Sequence, residues 1–416
     1  MTPDERSRVG REPFSALPSS DPRSPALRTA AVLLAAGKGE RMWPLTSTRP
    51  KPLLPVALGE SLLERWIKAL KEITEDIIVV VNKEHVKYFE NLRSEYGVEL
   101  AVQIAAPGTG AALASVKPPE ADYVVVAYAD VYLQRPLLEL KRLLAEAPSV
   151  LAVRVDDVSQ YGALVVENGE VREVIEKEMS GPGLINGGVY VFSKEIFELL
   201  KELKPSKRGE YELTDLVKGL RAVEVASGWK DVGRPWDIFD VMKMEFEVRE
   251  GLENPWGPGK VYGELPEVKG EVYVEGPVYF GEGVVLGPFA HVRPYVALLD
   301  GVKVGPFVQV KESMIMEGSR LPHLNYVGDS VVAEDVNFGA GSVTANLRFD
   351  EREVEVTLKG QRVSTGRRKL GAIVGGGARI GVNVSLMPGT RVGARSWIYP
   401  GCVVRGDVPD GARYKC

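Results

Sequence analysis

The sequence is short of the residues on which small secreted domains and metalloproteins depend. It has two cysteines, Cys402 and Cys416, in 416 residues. Two thiols so spaced supply neither a disulfide framework nor a metal-binding pair, and a reducing cytoplasm is the simplest compartment. Histidine is as scarce, with His85, His291 and His323 the only three, so imidazole chemistry has few candidates. No apolar run approaches the roughly 20 residues of a membrane span. The N-terminus lacks the apolar core of a secretory signal. A net charge of −5 offers no basic surface for nucleic acid. Neither a membrane nor a nucleic acid is an expected partner.

What is present divides the chain. At 416 residues there is room for two full cores. Residues 1–28 are rich in Pro, Ser, Arg and Asp without periodicity and read as a disordered tail. From 29 to 250 short apolar runs such as Ile77–Val81 and Tyr123–Ala127 alternate with amphipathic segments such as Leu62–Ile73. That pattern predicts a Rossmann-like α/β domain on a mixed sheet, with ligands at the carboxyl ends of its strands. Pro235–Gly251 predicts a helix whose Trp236, Phe239, Met242 and Phe246 pack on the first domain. Residues 251–270, with Asn254-Pro255-Trp256-Gly257-Pro258-Gly259, read as a linker.

From 271 to 416 the period becomes six. Val274, Phe280, Leu286, Val292, Leu298, Val304, Val310 and Met316 recur at every sixth place, with smaller residues four places after most of them. The register slips around Pro322, resumes at Val332 and Phe338, and returns from Val374 to Val404. A period of six held this long predicts a parallel β-helix of hexapeptide repeats. Arg348–Arg368 interrupts it as a polar excursion.

The stretch Leu33-Leu34-Ala35-Ala36-Gly37-Lys38-Gly39-Glu40-Arg41-Met42, with Arg49-Pro50-Lys51-Pro52 beyond it, carries the strongest chemical signal. A buried strand runs into glycines that allow close approach of a ligand. Free backbone N–H groups in such a loop suit phosphate, and Arg41 and Lys51 add fixed cations. It is neither a Walker A loop nor G-x-G-x-x-G, since Met42 stands at the third glycine's place. The stretch resembles the signature of sugar-1-phosphate nucleotidylyltransferases, with Glu40 where many members have Thr.

That resemblance implies Mg²⁺-dependent transfer of a nucleotidyl group from UTP or dTTP to a sugar-1-phosphate. Arg41 and Lys51 would be catalytic. Ala36, Gly37, Gly39, Gln103, Gly108 and Thr109 would bind the nucleotide. Asp130, at a strand end, and Asp231, in Gly228-Trp229-Lys230-Asp231-Val232-Gly233, would hold the metal. Gly162, Glu176, Lys177 and Asn186 match the sugar-phosphate pocket. Residues 321–346 of the repeat region resemble the acetyltransferase domain of the bifunctional N-acetylglucosamine-1-phosphate uridylyltransferase/glucosamine-1-phosphate acetyltransferases, archaeal types especially. The coil of that family is left-handed and trimeric. Carried over, His323 is the base toward acetyl-CoA as co-substrate. Arg293, Lys311, Tyr326, Asn337 and Asn346 bind the acetyl acceptor, and Ala340 the acetyl-CoA. Arg367-Arg368-Lys369 is either a coenzyme A phosphate site or a solvated basic turn. Two other readings stay open: a monofunctional thymidylyl- or uridylyltransferase whose coil only trimerises it, and a non-enzymatic regulatory subunit of the same fold.

Overall fold

The computed structural model describes residues 27–104, 107–206 and 209–416. Most of the expected tail, residues 1–26, lies outside them, as do Ala105 and Ala106 beside the second glycine segment.

The first domain alternates as expected: β1 Thr29–Leu34, α1 Leu62–Lys71, β2 Ile77–Asn82, α2 Val86–Tyr96, β3 Glu99–Gln103, α3 Thr109–Ala114 and β4 Tyr123–Tyr128. A short β5 Val131–Leu133, α4 Pro136–Ala145, β6 Ser149–Val155, β7 Gly162–Glu167, β8 Glu170–Glu176, β9 Gly183–Ser193 and α5 Ile196–Leu199 follow. The domain closes with β10 Arg221–Val225, β11 Trp229–Asp231 and α6 Asp237–Val248. The main sheet runs β3-β2-β1-β4-β9-β6-β10-β8-β7. β1 lies parallel between β2 and β4, while β9 is antiparallel to β4, so the sheet is mixed. Ala31, Leu33 and Val79 feed one core and Val32, Val80 and Val126 the other. This two-sided burial is why the runs are continuously apolar. β5 and β11 pair antiparallel in a separate ribbon. Ser61 and Glu64 form a reciprocal cap at the start of α1.

The second domain is a coil of parallel strands in three sheets. Each strand pairs with the equivalent strand one turn on, as Val278 does with Val296 and Val285 with Lys303. Its first parallel strand, Lys260–Gly263, and the short antiparallel Leu252–Glu253 beside it lie within the stretch expected as linker, because Val261 already occupies the interior ladder. The register changes earlier than Pro322. Ala297 pairs with Met314, one residue short of the preceding repeat. Ile315 therefore fills the interior place assigned to Met316, and Met316 turns toward the first domain. Serines close the shortened corners. Ser313 Oγ donates to Lys311 O and accepts from Ser330 N, and Ser330 Oγ donates to Gly328 O.

Two further differences concern packing. The aromatic stripe of α6 is shared by both domains: Phe239, Met242 and Phe246 lie in one buried cluster with Ala297, Met314, Met316 and Ile373 of the coil. Met42 and Leu45 of the signature loop belong to the same cluster. The interruption at 348–368 contains an antiparallel hairpin, Glu355–Leu358 with Gln361–Ser364, whose Val354 and Val356 are buried in that cluster too.

The two cysteines, expected to supply no disulfide framework, are joined to each other: Cys402 and Cys416 form a disulfide with Cα atoms 5.5 Å apart. Sequence spacing hides it. Ile398 pairs with Tyr414 across the last turn, which carries the chain end back over the coil to Cys402.

Candidate active sites

β1 is an interior strand, between β2 and β4, and the glycine loop opens at its carboxyl end. Gly39 adopts φ +67°, and a Cβ on it would meet the Lys51 side chain at 3.0 Å. Nothing lies within 4 Å of a Cβ built on Gly37, so that backbone is open to a ligand. Thr46 Oγ1 donates to Gly39 O at 3.1 Å and fixes the turn. The loop borders a cavity of about 620 Å³ that also takes in Arg41, Lys51, Gln103, Gly108, Thr109 and Asp130.

Asp130 and Asp231 come together through the β5–β11 ribbon. Asp231 pairs with Val131, and Val232 N donates to Asp130 O at 3.1 Å. Lys51 Nζ donates to Asp130 Oδ2 at 2.7 Å from a nearly buried position. Arg41 and Asp231 flank Gly233, whose Cβ would lie 3.2 Å from Arg41 Nη2 and 3.4 Å from Asp231 Oδ2. Burial, then the nearby Asp130 carboxylate, pushes the Asp231 carboxyl up from its ordinary range, with Lys51 and Arg41 opposing. A divalent cation would relieve both causes, so the pair fits the Mg²⁺ that the signature implies. No group of three or more His, Cys, Asp or Glu positioned for a metal occurs among the described residues.

Gly108 is required by its surroundings. At φ +115° its Cβ would lie 2.3 Å from Tyr211 O. Gln103 Nε2 donates to Gly108 O at 3.3 Å, and Thr109 Oγ1 accepts from Leu213 N at 2.9 Å. The segment 210–213 thus walls the same cavity, with Glu210 and Glu212 lining it. No motif in the sequence signals that segment.

A neighbouring cavity of about 350 Å³ joins Arg41, Tyr161, Lys177, Lys230, Asp231 and Arg234. Of the expected sugar-pocket residues, Lys177 lines it. Gly162 pairs with Glu176 across β7 and β8, and a Cβ there would collide with Glu176 Oε1 at 2.8 Å. Asn186 is spent internally: Nδ2 donates to Tyr190 OH at 2.7 Å and Oδ1 accepts from Gly188 N. Lys230, absent from the expected set, is held by Asp240 at 2.7 Å and Asp237 at 3.4 Å.

On the coil, the expected residues fall into groups. Lys311, Tyr326 and Asn346 share one sheet and its corner. Lys311 Nζ lies 3.2 Å from Asp329 Oδ2, and Asn346 Nδ2 donates to Tyr326 OH at 3.2 Å and to Asp329. Buried Asp329 organises the group and was not among the sequence candidates. Val292 pairs with Val310, so Arg293 follows in register one turn from Lys311. His323 is exposed at the preceding corner. Asn325, buried beneath it, accepts from His323 N and donates to Gly339 O and Ser342 O. Asn337 stands on the adjacent sheet, opposite Arg379. Ala340 O accepts from Asn383 N at a turn. His291 bridges Glu275 at 2.6 Å and Gln309 at 3.2 Å on the coil face.

The coenzyme A alternative for Arg367-Arg368-Lys369 meets a different geometry. Arg367 is turned inward, bonded to Glu312 at 2.8 Å and stacked on Phe239 at 4.6 Å. Arg368 pairs with Glu351.

Comparison with known proteins adds the following. Residues 30–247 match the nucleotidyl transferase family model. A bifunctional sugar-1-phosphate nucleotidylyltransferase/acetyltransferase of Sulfurisphaera tokodaii is 42% identical over 92% of this chain and 99% of its own length. The bifunctional protein GlmU of Methanocaldococcus jannaschii is 37% identical over 91% of this chain and 95% of its own. That of Methanococcus aeolicus is 35% identical with the same coverage.

Proposed function

Since the chain belongs to the bifunctional sugar-1-phosphate nucleotidylyltransferase/acetyltransferase family, we propose that it makes a UDP-N-acetylhexosamine in two reactions. In one, a uridylyl group passes from UTP to a sugar-1-phosphate, N-acetylglucosamine-1-phosphate in this reading; with dTTP as donor the product would be the dTDP-sugar instead. In the other, acetyl-CoA acetylates an amino-sugar-1-phosphate. The observation that carries the first is the convergence of Asp130, Asp231, Lys51 and Arg41 at the end of β1.

In nucleotidyl transfer a sugar-phosphate oxygen attacks the α-phosphorus, the bond to the β-phosphate oxygen breaks, and pyrophosphate leaves. Lys51 and Arg41 would neutralise charge spread over the phosphate oxygens. The open backbone from Ala36 to Gly39 would take the phosphates, and Gln103 with Gly108 and Thr109 the base. Glu176 would accept from sugar hydroxyls beside Gly162, and Lys177 would meet the sugar phosphate. Asn186 would hold the Tyr190–Tyr128 chain that supports the cavity wall. Mg²⁺ held by Asp130 and Asp231 would supply charge neutralisation at the reacting phosphates.

In acetyl transfer His323 would take the proton from the sugar amine, which attacks the thioester carbonyl; the amide C–N bond forms, the C–S bond breaks, and coenzyme A leaves as the thiol after its sulfur regains the proton. Imidazole suits that task because its unperturbed pKa lies near neutrality. Arg293 and Lys311 would hold the sugar phosphate, Tyr326, Asn337 and Asn346 the ring, and Ala340 the acetyl-CoA. The split of these residues over two sheets and a corner favours a site completed by a second copy in a left-handed, trimeric coil. Phe289 and Phe307 stack at 5.2 Å on the outside, and both are exposed, as is Leu324. Such a ridge suits contact between subunits.

The test is a screen of purified protein with Mg²⁺ against sugar-1-phosphate and nucleotide pairs, with and without acetyl-CoA. Pyrophosphate release with an N-acetylhexosamine-1-phosphate and thiol release with an amino-sugar-1-phosphate support both reactions. Pyrophosphate without thiol release for any amino sugar leaves the coil as a trimerisation module.

A further inference from the structure

The hairpin that interrupts the coil reaches the other domain's site. Its neck is closed by a bridge between Leu347 and Lys369. Lys359 and Gly360 form its two-residue turn, both at positive φ, +48° and +79°. This is the tight geometry whose twist matches the flanking strands. The hairpin is clamped along its length. Val354 and Val356 are buried, Thr365 Oγ1 donates to Val354 O at 2.7 Å, and Arg391 donates to Thr357 O. Arg367 at its base ties it to Glu312 of the coil and Asp240 of α6.

So clamped, the hairpin walls both cavities of the first domain. Thr365, Gly366 and Arg367 line the sugar cavity. Lys359 lines the nucleotide cavity together with Gly37, Arg41 and Lys51. Lys359 Nζ lies 2.9 Å from Glu40 Oε2. Glu40 is the unexpected acid of the signature loop, at the place where polyphosphate must enter. Both side chains are more than half exposed, so the pair is held weakly and its lysine can be drawn to a stronger anion. A flexible lysine is an effective point charge for phosphate.

We propose that Lys359, delivered by the coil domain's hairpin, binds the triphosphate of the incoming nucleotide, and that Glu40 holds it in place while the site is empty. The proposal rests on nucleotidyl transfer being the first domain's reaction. On binding, no covalent bond changes: the ammonium exchanges a carboxylate partner for a phosphate oxygen.

The experiment measures pyrophosphate release by the full chain at saturating sugar-1-phosphate and Mg²⁺ while UTP is varied. A charge-assisted hydrogen bond is worth about tenfold or more in affinity. Lys359→Ala is therefore expected to raise KM for UTP about tenfold, with kcat within about twofold and KM for the sugar phosphate unchanged. Lys359→Arg should recover most of that loss. Thiol release from acetyl-CoA, unchanged in both variants, reports an intact fold. The same substitution made beside Glu40→Gln separates the alternatives. A persisting rise in KM supports direct contact, whereas its disappearance shows that Lys359 only neutralises Glu40 and overturns the proposal. An unaltered KM for UTP in Lys359→Ala overturns it as well. A parent protein that releases no pyrophosphate with any nucleotide and sugar phosphate removes the underlying reading instead.

Discussion

In the first domain Lys51 and Asp130 meet at 2.7 Å, with Arg41 and Asp231 beside them at one strand end. On the coil, His323 stands at one corner, Lys311 and Asn346 gather around Asp329 at the next, and Asn337 lies on another sheet. The first arrangement converges because the parallel strands β1 and β4 end side by side and the antiparallel β5–β11 ribbon brings Asp231 to the same place. A coil stacks equivalent positions one above another and presents them along a face, so convergence needs a second surface. In the proposed reading a single chain supplies one reaction, and the other takes a second copy to complete its site.

The largest test of this contrast lies in the two carboxylates. Asp130→Asn or Asp231→Asn is expected to lower pyrophosphate release by roughly a thousandfold, the several kcal/mol that a metal contributes to charge stabilisation. Thiol release should stay at the parent rate. Pyrophosphate release near the parent rate at matched Mg²⁺ would show that the ligand is another residue. In the opposite direction, His323→Ala is expected to lower thiol release roughly a hundred- to ten-thousand-fold with pyrophosphate release unchanged. Acetylation within a few-fold of the parent would remove His323 as the base.

The border between the regions gives a smaller effect. Arg367→Ala leaves Glu312 and Asp240 short of a cation and uncovers Phe239. It is expected to cost about 2 kcal/mol, in the range for breaking a partly buried ion network, read as a lower midpoint in chemical denaturation. A midpoint equal to the parent's would show that the hairpin is not clamped at its base. Smallest is the chain end. Cys416→Ser should lower hydrogen-exchange protection in the last turn, near Trp397 and Arg413, and leave the global melting temperature in place. Unchanged protection there would make the Cys402–Cys416 link irrelevant to the coil's closure.

The sequence reads well where local rules act alone. Continuous apolar runs marked β1, β2 and β4, and the six-residue period marked the coil. Gly39 and Gly108 were legible because glycine at those places answers to close contacts and a positive φ. Reading failed where partners come from far along the chain. The one-residue shortening before Ile315 leaves both Ile315 and Met316 apolar, since one faces the coil's interior and the other α6. The basic run 367–369 reads as a coenzyme A site or a solvated turn until Phe239 and Glu312 are placed around Arg367. Lys359 is an ordinary turn residue in sequence, and Asp329 an ordinary acid. Only tertiary packing gives each its neighbours. The disulfide is hidden for the same reason, as the coil's last turn brings distant positions together.

The most direct measurement compares both activities in a monomer. Phe307→Asp places a charge on the exposed ridge, and sedimentation equilibrium identifies the concentration range in which the variant is monomeric. The account predicts that those monomers release pyrophosphate at the parent rate per chain and lose thiol release from acetyl-CoA. Monomers that acetylate an amino-sugar-1-phosphate at the parent rate would contradict it.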